Sequence, residues 1–307
     1  MRRNAPGRLA ALACAGLAAI AVCGALSVGG PPQRPAPAPA TPPASVPATS
    51  PATFKVATFN VLYENRDLKA VAETIRKSGA DVVCLQETNE AAEKSLREQL
   101  GKTYPHATFK PGAGASGFGI LSRTPLRNVK HLPPKEGWFG THLCEANLAG
   151  RAVQIIDAHL TASTPPAGAS VAEIARVFNQ REAIRAKELA YILKNTEANL
   201  PRLIVGDFNA MPGGTAPQFL RDKGFLDSLA SARADHATVT TWRGSLGGIN
   251  LSARVDYVFH TKDLQSTDCQ VLPSVASDHS LVVSTLRWAP AASRPDANSP
   301  ATSLRIP

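Results

Sequence analysis

The chain contains no Cys-x-x-Cys pair and no His-Glu-x-x-His segment. The usual structural-zinc spacing and the zinc-protease helix are therefore both excluded. A phosphate loop is missing as well. Gly101-Lys102-Thr103 mimics the end of one, but the upstream position that must be glycine is Leu96. Gly112–Gly119 is glycine-rich yet leads into a strand-like run, which suits a hairpin loop rather than a nucleotide cradle. No repeat of 20 to 50 residues is present. Acidic residues are absent from the first 53 positions, which hold Arg2, Arg3, Arg8 and Arg34. Net charge is +9, but the remainder carries 29 basic and 24 acidic residues. That near balance excludes the heavily basic face of an affinity-driven nucleic-acid binder. At 44% hydrophobic and 19% charged residues, the chain has enough apolar material for a packed core, and wholesale disorder is excluded.

The amino-terminal segment has the pattern of an export signal. Arginines precede an uncharged, Ala- and Leu-rich run from Leu9 to Gly30. Small residues at Ala25-Leu26-Ser27 favour cleavage, while the length of the run also suits an anchor retained through residues 9–30 as a membrane tether. Either way the body is expected to be exported, secreted or held on the outer side of the cytoplasmic membrane. Residues 31–53 follow as a Pro/Ala-rich spacer, extended and unable to bury a core. The folded domain is expected over 54–288, with a loose tail at 289–307. Beyond the signal, Cys84, Cys144 and Cys269 remain. Cys84 sits in an apolar run and is expected to pack as a small hydrophobe; pairing of Cys144 with Cys269 is left open.

Within the domain, strand-like and helix-like patterns alternate. Phe54–Leu62, Asp81–Leu85, Phe118–Ser122, Ala152–Leu160, Leu203–Val205, Val255–Phe259 and Leu281–Leu286 read as strands. Leu68, Val71, Ala72 and Ile75 recur at helical spacing, and a second helix is expected after Thr88 with Asn89 and Glu90 in its start. The longest helix is expected within 171–195, burying Ile184, Glu188, Leu189, Ile192 and Leu193. Strands interleaved with helices, plus hairpin-like pairs, predict a mixed α/β sandwich.

Polar residues recur where these strands stop. Asn60 interrupts Ala57-Thr-Phe-Asn-Val-Leu62; Gln86-Glu87 ends a strand; His159 closes Ile155-Ile-Asp-Ala-His. Asp207 and Asn209 follow Leu203-Ile-Val-Gly, Asp256 lies in Arg254-Val-Asp-Tyr-Val-Phe, and Ser277-Asp278-His279 opens the last strand. Any one of these is an ordinary turn, cap or satisfied core amide. Six together, each at an apolar strand, point to a site at strand ends, where loops gather residues distant in sequence. Carboxylates, amides and imidazoles with room for water form a donor set suited to Mg²⁺ or Mn²⁺.

In this order, Thr58-Phe-Asn60, Gln86-Glu87, Gly119-Ile-Leu-Ser-Arg123, Gly206-Asp-Phe-Asn209, Val255-Asp-Tyr257 and Ser277-Asp-His279 resemble the endonuclease/exonuclease/phosphatase superfamily over about 54–288. The resemblance implies a DNase I-like fold: a four-layer α/β sandwich, two packed mixed sheets flanked by helices. It also implies divalent-metal-dependent hydrolysis of a phosphoester. The chain is expected to act as a monomer. Glu87, Asn60 and Asp278 are then the candidate metal ligands, with Mg²⁺ or Mn²⁺ as cofactor. His279 is the candidate general base, oriented by Asp256. Asp207 and Asn209 would position water and bind phosphoryl oxygens, and His159 would serve the leaving group. Trp242 reads as a substrate-side residue or an ordinary packing contact. The Asp157-Ala-His-Leu160 and Asp207-Phe-Asn209 wording departs from the apurinic-site endonuclease branch. Repair-type specificity is accordingly not expected. A phosphodiester in nucleic acid or a phospholipid headgroup is the expected substrate class, with a small phosphate monoester or a non-catalytic tethered module as the alternatives.

Overall fold

The computed structural model describes residues 52–166, 168–246 and 249–290. The export segment, all but the end of the spacer and nearly all of the tail lie outside them. In chain order the elements are β1 (Thr53–Asn60), α1 (Leu68–Ser78), β2 (Val82–Gln86), α2 (Glu90–Leu100), β3 (His106–Lys110), β4 (Phe118–Ser122), β5 (Leu126–Leu132), β6 (Thr141–Leu148) and β7 (Arg151–His159). They continue with α3 (Val171–Lys194), β8 (Arg202–Asp207), α4 (Thr215–Asp222), β9 (Leu226–Asp227), α5 (Ser228–Ala232), β10 (Trp242–Leu246), β11 (Ile249–Ala253), β12 (Asp256–His260), β13 (Leu264–Leu272) and β14 (Leu281–Trp288).

Two mixed six-stranded sheets result, ordered β13-β14-β1-β2-β4-β3 and β5-β6-β7-β8-β12-β9. In the first, β1 runs parallel to β2 and antiparallel to β14. In the second, β7 runs parallel to β8, which pairs antiparallel with β12. Successive side chains of a strand face opposite ways, and the chain uses both faces. Phe54 and Val56 join Val82, Cys84, Val153, Ile155, Leu203, Val205 and Val258 between the sheets. Ala57, Phe59, Val83 and Leu85 turn outward onto Val71, Ile75, Leu96 and Leu100 of α1 and α2. On the other side Ile156, Ala158, Ile204, Tyr257 and Phe259 pack on Leu189 and Ile192 of α3 and Ala216 and Leu220 of α4. Helix, sheet, sheet and helix make the four layers expected.

The central strands are apolar on both faces, which is why their runs were readable. Several edge elements were not. β5 exposes Arg127, Asn128, Val129 and Lys130, leaving no alternation to detect. β13 carries a bulge between Ser266 and Asp268, which shifts the phase of its buried residues Leu264, Ser266 and Cys269. The first strand ends at Asn60 rather than Leu62, because Leu62 adopts a left-handed φ of 59°. Helix starts follow the expected chemistry: the Asn89 side chain accepts from the Ala92 N–H, and Ser170 with Glu173 forms a reciprocal cap on α3. Gly112–Gly117 is the β3–β4 hairpin loop, as expected. Cys84, Cys144 and Cys269 are buried free thiols, so no disulfide links Cys144 with Cys269.

Gly206 is indispensable to this architecture. Its φ is 142°, and a Cβ there would lie 1.8 Å from the Ala158 carbonyl oxygen of the adjacent strand. Gly206→Ala combines backbone strain with a clash against main chain. It is expected to cost about 2–4 kcal/mol, a Tm fall of roughly 5–15 °C measurable by thermal melting.

Candidate active site

The alternation that builds the inter-sheet core also builds the site. Along β1 the inward positions run Phe54, Val56, Thr58, Asn60; along β2, Val82, Cys84, Gln86; along β7, Val153, Ile155, Asp157, His159; along β8, Leu203, Val205, Asp207. β12 runs the opposite way and begins with inward Asp256, followed by Val258. Each strand is apolar where the sheets press together and polar at its inward residue nearest the site, the last one in β1, β2, β7 and β8 and the first in β12. Register aligns those residues: Asn60 opposite Gln86, His159 opposite Asp207, and Asp207 opposite Asp256.

Asn60 is the hub. Its Nδ2 donates to Glu87 Oε1 at 2.9 Å and to Asp207 Oδ2 at 3.1 Å, joining the two sheets. Its Oδ1 accepts from the Leu62 N–H, and its own carbonyl accepts from Ser277 Oγ. Glu87 sits just past β2 at a left-handed φ of 62°, a conformation that costs a non-glycine residue roughly 1–2 kcal/mol. The turn swings the carboxylate back over the strand end, where Oε2 accepts from the Tyr63 N–H at 3.1 Å. Burial, with Asp278's charge as a smaller contributor, pushes the Glu87 carboxyl up against the pull of these hydrogen bonds.

On the second sheet Asp207 is 2% exposed. Its Oδ1 accepts from the Asn209 N–H at 2.8 Å, and its Oδ2 lies 3.6 Å from Nε2 of both His159 and His279. Burial raises its carboxyl above the ordinary range. Asp256 is fully buried and lies 3.0 and 3.1 Å from His279 Nδ1 through its two oxygens. Burial alone would strip His279 of its proton, but Asp256 and Asp207 outweigh it and lift the imidazole to about 10. The same burial without a bonded carboxylate drives His159 down to about 4, leaving a neutral ring.

All nine residues expected at the site are described, and Asn60, Glu87, His159, Asp207, Asp256 and His279 are linked directly. Asp278 places its charge near Glu87, but its Oδ2 accepts from the Trp242 indole N–H at 2.9 Å. Trp242, half-buried and bridged to His279 through the backbone, thus spends its polar atom on orienting Asp278. Asn209 donates Nδ2 to the Leu160 carbonyl at 3.0 Å and ties the loop after β8 to the loop after β7.

Supporting residues went unread in the sequence. Thr241 Oγ1 accepts from the Val255 and Asp256 N–H groups and holds the start of β12. Ser277 Oγ accepts from the His279 N–H while donating to Asn60. Beneath the site Gln86 Nε2 reaches across the sheets to Asp157 Oδ1 at 2.6 Å, and burial raises the Asp157 carboxyl well above its usual range. On α3, Arg185, which the helical pattern did not mark as buried, is fully buried and donates to the Thr161 carbonyl.

The ligand atoms of Asp207, Asp256 and His279 all lie within 4.8 Å of one another. Glu87 and Asp278 add carboxylates nearby, a set of hard donors whose mutual repulsion a divalent cation would relieve.

Comparison with known proteins places this arrangement in context. The Endonuclease/Exonuclease/phosphatase family pattern matches residues 57–279. Solved structures with a similar fold include TDP2 from C. elegans, at a TM-score of 0.59 and 15% identity over 77% of this chain and 75% of that one. An AP endonuclease from Archaeoglobus fulgidus matches at 0.57 and 20% identity, over 75% and 98% of the two chains. An endonuclease/exonuclease/phosphatase from Beutenbergia cavernae DSM 12333 matches at 0.54 and 20%, over 77% and 72%. No curated protein matches the chain.

Proposed function

The chain belongs to the endonuclease/exonuclease/phosphatase family, and from that premise we propose that it is an exported, Mg²⁺- or Mn²⁺-dependent phosphodiesterase. One observation carries the reading: Glu87, Asn60, Asp207, His279 and Asp256, spread over 220 positions, form an unbroken chain of contacts at one end of the sandwich.

Glu87, with Asn60 and Asp278 beside it, would hold the ion. When bound, it supplies positive charge for the phosphoryl oxygens and for the carboxylates around His279. Without a cation Asp256 and Asp207 hold the proton on His279. With their charge offset by a bound ion, Asp256 would fix the Nδ1–H tautomer so that Nε2 can take a proton from the attacking water. Asp207 and Asn209 orient that water and the phosphoryl oxygens. His159, neutral and facing Asp207 and Glu87 through Nε2, donates a hydrogen bond to the leaving oxygen. Trp242 acts by holding Asp278.

Every position that needs an acid, base or ligand is occupied, which favours turnover over a tethered binding module. The substrate class is tested by incubating the full chain and Mg²⁺ with plasmid DNA, RNA, sphingomyelin, an inositol phosphate and p-nitrophenyl mono- and diesters. Diesters are expected to turn over faster; turnover confined to monoesters would replace the phosphodiesterase reading with a phosphomonoesterase. Export is tested by fractionating expressing cells, with the protein expected outside the cytoplasmic membrane.

A further inference from the structure

The two histidines of the site are held by different means. His279 has its Nδ1 against a carboxylate, the usual way a functional imidazole is kept in one tautomer and one ring plane. His159 has no carboxylate at Nδ1: it is 2% exposed, and the Ala115 backbone beside its ring does not form a well-aligned hydrogen bond with Nδ1. The torsion that swings an imidazole about its Cβ–Cγ bond is intrinsically broad. Something other than a carboxylate must hold the ring.

The face of the ring is covered by Phe139, with centroids 4.0 Å apart and planes 14° from parallel. Phe139 is itself wedged. Trp138 meets it edge-on at 5.9 Å and 89°, and the Arg181 guanidinium lies 4.4 Å over the Trp138 ring. The Trp138 N–H donates to Thr161 Oγ1, which donates to Glu188 Oε1, while the Thr161 N–H donates to Glu188 Oε2. Arg181, Arg185 and Glu188 follow one another at helical spacing along α3, so one helix face braces the loop. Gly137 permits the approach, since a Cβ there would lie 1.7 Å from Glu188 Oε1. The segment Gly137-Trp-Phe-Gly140 is thus a clamp set between α3 and His159.

We infer that Phe139 is a positioning residue for the leaving-group step, fixing by stacking the ring plane of His159 that no carboxylate fixes. The inference rests on the reading of His159 as the leaving-group donor. In that step the water oxygen bonds to phosphorus and its proton passes to His279. The bond from phosphorus to the leaving oxygen breaks, its electron pair staying on that oxygen, where the His159 N–H meets the developing charge. A ring rotated away from that oxygen loses most of its effect, because small misplacements of catalytic groups are costly.

The test uses the full chain with Mg²⁺ and a series of phenyl phosphodiesters whose leaving phenols run from p-nitrophenol to unsubstituted phenol. Phe139→Ala and Phe139→Leu are expected to lower kcat by about 10–100-fold for phenol, by under about threefold for p-nitrophenol, and to leave KM within about twofold. Phe139→Tyr, which keeps the flat face, restores kcat. His159→Ala shows the same leaving-group pattern, and adding Phe139→Ala to it costs nothing further. Equal losses across the series in both Phe139 variants, beside a selective loss in His159→Ala, would reduce Phe139 to packing and overturn the inference. A uniform loss in His159→Ala would instead overturn the role of His159 itself, and this inference with it.

Discussion

Replacing His279 with alanine is expected to lower kcat by about 10²–10⁴-fold, the range for losing a positioned general base. Asp256 faces Nδ1 of His279 at 3.0 Å and is fully buried, so this variant also strands a carboxylate without its partner and should melt earlier. Asp256→Asn separates the two effects. It keeps the shape and a hydrogen-bonding atom at Nδ1 but removes the charge that selects the tautomer. A fall in kcat of about 10²–10⁴-fold with KM little changed is expected there too. The two substitutions should be far from additive, because each disables the same unit. A double variant as much worse as the product of the singles would mean that His279 and Asp256 act separately.

Glu87→Gln is expected to weaken Mg²⁺ binding by at least about 100-fold, more than is typical of residues that only support a ligand. The same change should not destabilise the metal-free protein. Burial holds the Glu87 carboxyl above its ordinary value of 4.5, so its ionised form is a liability to the fold in the absence of a cation. A group whose folded pKa is raised favours folding below its unfolded value and loses that contribution as pH rises through the folded one. The metal-free wild type should therefore lose Tm relative to Glu87→Gln as pH rises from about 4 towards 7, and Mg²⁺ should reverse the loss. Calorimetric titration and melting curves on both proteins check this; equal Mg²⁺ affinity in the two would remove Glu87 from the cation site.

The architecture was legible wherever both faces of a strand are buried. Val56 to Ala57, Val82 to Leu85 and Leu203 to Val205 are apolar on both sides because one side meets the other sheet and the other meets helices. Asn60, Glu87, His159, Asp207 and Asp256 were legible for the same reason, as the polar residues that bound those apolar runs while staying largely buried. What escaped notice obeys no such rule. β5 is mostly exposed, β13 is bulged, and Phe139 sits in a loop whose geometry depends on α3, 42 residues from Arg181 in sequence. Asp157 was hidden in plain view: in sequence it is one more polar interruption, yet its Oδ1 accepts from Gln86 across the sheets, beneath the site.

One pocket that holds a cation and cleaves a phosphoester is tested most directly by p-nitrophenol release from bis-p-nitrophenyl phosphate. The full chain should release it with Mg²⁺, stop on adding EDTA, and resume when Mg²⁺ is restored in excess, while His279→Ala stays near background throughout. Release that persists both through chelation and in His279→Ala would contradict the assignment of this site.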